Sequence, residues 1–118
     1  MTTQKFRDDS RGLLAKARTE LDAGDLRQAS EKGWGAAALM LKAIAERRHW
    51  DHERHRHFSI AAGRLRSELG NRDVVRLYNV AESLHANFYE DYLSAGEIDE
   101  GLNDVGALLD LLEPIAQG

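Results

Sequence analysis

"GDLRQASEKGWGAAALMLKAIAERR", residues 24–48, decides the fold. Gly24 is a stop signal, and Asp25 with Gln28 has the spacing of a capping box, so a helix opens at Asp25 and runs to about Arg48. Its apolar positions fall in two stripes: Leu26, Ala29, Gly33, Ala36, Ala37, Met40 and Ile44 on one, Trp34, Ala38, Leu41 and Ala45 on the other. A helix that is apolar on two sides must be covered on two sides, which makes it the central member of a bundle. The small residues of "GWGAAA" let neighbouring backbones approach closely.

The surroundings repeat the helical period. Upstream, Phe6, Leu13, Leu14, Ala17 and Leu21 share one face of a helix from roughly Thr3 to Asp22, and the short break "AGD" predicts an antiparallel hairpin with the central helix. Downstream, a third helix is expected over about Phe58 to Leu69, ended by Gly70. A fourth, from Arg72 to about Leu93, has Val74, Tyr78, Ala81, His85, Phe88 and Tyr92 on one stripe. Ser94 and Glu97 form another capping box, and Ile98, Leu102, Val105, Leu109 and Leu112 mark a fifth helix. Strand-like alternation is absent, and the single proline, Pro114, lies near the end. The expectation is an all-α, five-helix antiparallel bundle forming one domain over residues 1–118. Leu108 and Leu111 fall off the stripe of the fifth helix, and exposed leucines in a row predict a homodimer.

Composition narrows the function. With 42% hydrophobic and 31% charged residues, the chain is globular rather than disordered. Its formal charge of −4 excludes a surface built as a whole to hold nucleic acid. The absence of cysteine excludes disulfides, thiolate nucleophiles and cysteine-ligated zinc. "MTTQKFRDDSRG" has no apolar signal-peptide core, and the longest apolar run, broken by Lys42, is too short to span a bilayer. A cytoplasmic protein with no membrane partner is expected.

"RRHWDHERHRH", residues 47–57, is the exception to the acidic balance: four arginines and four of the five histidines stand in eleven positions. Arg47, Arg54 and Arg56 suit a phosphate-binding patch, while Arg48 and His55, spaced to share a helical face, are candidates for an arginine–histidine catalytic pair. His49, His52 and His55 repeat every three residues, but four arginines repel a divalent cation, and Asp51 and Glu53 point away if those histidines converge. Neither a metal site nor a cofactor is therefore expected. The plainest reading is a hydrated helix end whose cations favour the helix dipole.

Elsewhere, His85 lies on an aromatic stripe, which predicts a half-buried histidine bonded into the bundle. The functional alternative places it in a cleft with Glu31, Lys32 and Tyr89, Lys32 interrupting an otherwise small and apolar run. Trp34, Trp50, Phe88, Tyr89 and Tyr92 are either core or a base-stacking surface.

Two stretches carry a resemblance: Gly24, Asp25, Lys32 and Trp34 in the first, and Leu84, His85, Asn87, Phe88 and Tyr89 in the second. In this pattern the chain resembles the HEPN superfamily of helical bundles, closest to its archaeal paralogous-repeat (PaREP) branch. The resemblance implies a four- or five-helix bundle that commonly dimerises. Many HEPN proteins are metal-independent ribonucleases with an arginine four to six residues before a histidine on a late helix. Before His85 those places hold Val80, Asn79 and Tyr78, and Arg76 is on the opposite helical face, so that pair is missing.

The function expected is an RNA- or nucleotide-binding module. The first alternative is a metal-independent endoribonuclease of toxin type, whose antidote protein would be encoded nearby. The second is a tetratricopeptide-like scaffold, which "LDAGDLRQASEKGWGAAALMLKAIAE" imitates but which needs about three repeats where one is present.

Overall fold

A computed structural model describes residues 3–117; residues 1, 2 and 118 of the expected single domain lie outside the described residues. The order is α1 (Thr3–Asp22), α2 (Leu26–Arg48), α3 (His55–Leu69), α4 (Asp73–Glu90) and α5 (Ala95–Gln117), with no strand among the described residues. Asp25 caps α2 by accepting the Gln28 N–H at 3.1 Å, and Gly24 turns the chain at φ 83°. The hairpin of α1 and α2 predicted from "AGD" is the tightest pairing in the bundle.

The two apolar stripes have the expected consequence. Helix α2 packs against all four other helices, and Ala29, Gly33, Trp34, Ala36, Ala37, Met40, Leu41, Ala43, Ile44 and Ala45 are buried along it. Gly33 marks the closest approach: a methyl group built there would stand 2.6 Å from Leu102 Cδ2 and 3.1 Å from Leu84 Cδ1. No described helix is long and apolar enough to cross a membrane.

Three details differ from the sequence expectation, each for a local reason. First, α3 begins at His55 rather than Phe58, because the His57 imidazole folds back and its Nδ1 accepts the N–H groups of Glu53 and Arg54 at 3.2 and 3.1 Å. Second, α4 ends at Glu90, where Asp91 turns left-handed at φ 51°, so Tyr92 leaves the stripe assigned to it and is exposed. Third, Leu108 is fully buried and Leu111 half-buried, because α5 packs against α1, α2 and α4 and needs a wide apolar face. The exposed leucines from which a homodimer was argued are therefore largely absorbed by the chain's own core.

Candidate functional site

The chain brings three rings together from three helices. Trp34 of α2, 8% exposed, is packed edge-on by Phe58 and by Tyr78, each at a centroid distance of 6.0 Å. Its free face carries two imidazoles. His55, the first residue of α3, and His85 of α4 each stack on the indole at 4.9 Å, with interplanar angles of 14° and 27°. The imidazole centroids are 5.3 Å apart. On opposite faces of the indole they would be nearly twice as far from each other as from Trp34, so both lie on one face, side by side.

A carboxylate orients each imidazole. Glu31 of α2 stands 2.9 Å from His85 Nδ1, and Glu82 of α4 bonds His55 Nε2. A carboxylate only accepts, so these nitrogens carry the hydrogens. In the neutral rings His85 Nε2 and His55 Nδ1 are then left with lone pairs, and neither has a protein hydrogen-bond partner among the described residues. Glu82 is fixed in turn by the Tyr78 hydroxyl, which donates at 3.1 Å and accepts from Ser59 at 3.3 Å. Burial pushes the Tyr78 phenol up to about 12; the Glu82 charge adds to this and Ser59 opposes it. The site opens to solvent at His55, whose side chain is 47% exposed, and at Tyr89, which sits edge-on to His85 at 5.5 Å.

Among the residues singled out from sequence, Glu31, His55, His85 and Tyr89 are assembled here. Lys32 is turned to the other side of α2, where it pairs with Glu20 of α1 at 3.0 Å. Arg48 pairs with Glu68 and lies over the Trp50 ring, which Arg64 also covers. Thirteen residues of helical rise separate Glu68 from His55 by about 20 Å, so Arg48 and His55 are not brought together. Arg47, Arg54 and Arg56 are exposed. The remaining histidines of the segment disperse. His49 is an exposed left-handed helix cap at φ 59°, and His52 turns to Glu46 at 2.8 Å, holding that carboxyl below its ordinary range. Among the described residues no group of three or more His, Asp or Glu side chains is placed to hold a metal ion.

Sequence reasoning missed Glu82 altogether and saw Trp34 only as core or as a base-stacking surface. Glu82 had a signal, since it stands four residues after Tyr78 and three before His85, both neighbours on one helical face. Its bond to His55 had none, because 27 residues separate the two.

A model of the archaeal PaREP1/PaREP8 family matches residues 6–109. A crystal structure of a protein from Sulfolobus solfataricus superposes with a TM-score of 0.81 at 24% identity, covering 91% of this chain and 95% of that one. That likeness is one of fold. No curated protein matches the sequence.

Proposed function

The chain belongs to the archaeal PaREP1/PaREP8 family, and from that premise we propose that it is a helical module that binds RNA or a nucleotide at the imidazole pair. The observation that carries this reading is the position of His55. It is exposed at the rim of the ring cluster, whose other exposed edge is Tyr89 against His85, and in sequence it stands between the exposed Arg54 and Arg56. Aromatic edges that accept a splayed base, next to guanidinium groups that accept phosphate, are what single-stranded RNA requires. The HEPN resemblance points the same way.

The test is a filter-binding salt titration with unstructured RNA in the presence of chelator. Replacing Arg47, Arg54 and Arg56 by Gln should weaken binding to all sequences alike and flatten the log–log salt slope by up to about 0.7 for each phosphate no longer held. Tyr89→Ala should weaken binding by about 1–3 kcal/mol through lost stacking. Binding that is absent, or insensitive to salt and to these changes, overturns the reading.

One observation favours a second reading, metal-independent RNA cleavage: two carboxylate-oriented imidazoles lie side by side. One, neutral, would take the 2′-hydroxyl proton as that oxygen attacks phosphorus, and the other, entering the step as imidazolium, would protonate the departing 5′-oxygen. Arg48 has no part in this arrangement. Cleavage of labelled RNA in chelator, abolished by His55→Ala or His85→Ala while binding survives, would support it.

A further inference from the structure

We infer that His55 and His85 form a paired-imidazole site for one divalent transition ion of the zinc class, a ligand independent of RNA. Their separation is the first argument. Two imidazoles bonded to one tetrahedral ion through Zn–N distances of about 2.0–2.1 Å have ring centroids about 5 Å apart. Here the centroids are 5.3 Å apart.

The protonation pattern is the second. A metal-binding histidine commonly gives its other N–H to a carboxylate, which fixes the tautomer and makes the free nitrogen a better donor. Glu31 does this for His85 and Glu82 for His55, and Tyr78 holds Glu82 in place. The stacked indole restrains both rings. The two carboxylates also supply the charge that a divalent ion needs to be matched.

The arginine objection raised by the sequence weakens once the side chains are placed. Arg48 is neutralised by Glu68, and Arg47, Arg54 and Arg56 are exposed, where water and salt screen them. Among the described residues no third His, Asp or Glu closes the set. The ion therefore takes two protein nitrogens and leaves its other positions to water or ligand, one protein donor fewer than the three of ordinary open zinc sites.

Chelator-stripped protein is titrated with Co2+, followed by its visible absorption, and with Zn2+ by calorimetry. One ion per chain is expected. His55→Gln and His85→Gln should each lose saturable binding, Glu31→Gln should weaken it about 10–100-fold, and His49→Gln, on the exposed helix cap, should leave it unchanged. Circular dichroism establishes that each variant is folded. A measurement that leaves both histidines intact uses Trp50→Phe, in which Trp34 is the one remaining tryptophan; saturating Co2+ should quench its fluorescence. Absent saturable uptake, unquenched Trp34, or binding that depends on His49 rather than on the pair overturns the site. RNA binding is measured in chelator, so failure here leaves that reading standing, and failure there leaves the ion site standing.

Discussion

At the scale of single residues, Asn87 shows how a motif position acquires a physical task. It is fully buried; its side-chain N–H donates to Ser30 Oγ at 2.8 Å, and its carbonyl oxygen accepts the N–H groups of Tyr92 and Leu93 at 2.8 and 2.7 Å. One amide thus ties α2 to the end of α4 and satisfies two backbone donors of the α4–α5 connection, which lie outside any helix ladder. From sequence it was visible only as part of "LHANFY". The signal was its place three residues after Leu84 and six after Ala81, on a buried line with Leu77 that the stripe drawn through His85 and Phe88 passed over. Asn87→Ala should lower stability by at least about 2 kcal/mol, because each buried group left unsatisfied costs about 1–3 kcal/mol. Urea unfolding should show a lower midpoint at unchanged slope, and a change under about 0.5 kcal/mol would contradict the assignment.

At the scale of elements, the helix ends separate what local chemistry dictates from what it does not. The α1–α2 hairpin and the start of α5 were legible because they follow common rules: a left-handed glycine, an aspartate cap, and a Ser94–Glu97 box whose two bonds form at 3.0 and 3.1 Å. The start of α3 and the end of α4 were not, since a histidine ring accepting two backbone N–H groups and an asparagine reaching past its own helix end lie outside those rules. The box at Ser94 also predicts an acid response. Hydrogen bonds from the backbone and side chain of Ser94 hold the Glu97 carboxyl below its ordinary value of 4.5. A carboxyl lowered by folding contributes in full above its unfolded value, and the contribution is lost as pH falls through the lowered one. Ser94→Ala removes the hydroxyl that caps the Glu97 N–H, a loss of about 1 kcal/mol at neutral pH. The gap to wild type should narrow as pH falls below 4.5. Unfolding curves of the two proteins at a series of pH values check this, and a pH-independent gap would remove Glu97 from the account.

At the scale of the whole molecule, helix order and the central place of α2 followed from the sequence, while the meeting of distant helices did not. His85 reaches Glu31 across 54 residues; the sequence placed both in one cleft with Lys32 and Tyr89, but periodicity could not show that Lys32 turns away to Glu20 or that His55 joins from α3. The same gap misled the reading of α5. Its extra leucines were assigned to a second copy because one stripe suffices for one neighbour, yet the helix has three neighbours and Leu108 is fully buried among them. Among the described residues the large apolar side chains that remain exposed are Ile60, Leu69, Tyr89 and Tyr92, on α3 and around the end of α4. A core leucine and an interface leucine respond differently to truncation. Leu108→Ala should cost about 2–5 kcal/mol through lost burial and a residual cavity. That cost should be the same at micromolar and at hundred-micromolar chain concentration, because Leu108 packs inside its own chain. Were Leu108 part of a subunit interface, the drop in Tm would shrink as concentration rises, since mass action restores a weakened dimer. Thermal melts of the variant and wild type across that concentration range distinguish the two, and a converging pair of curves would return α5 to the interface.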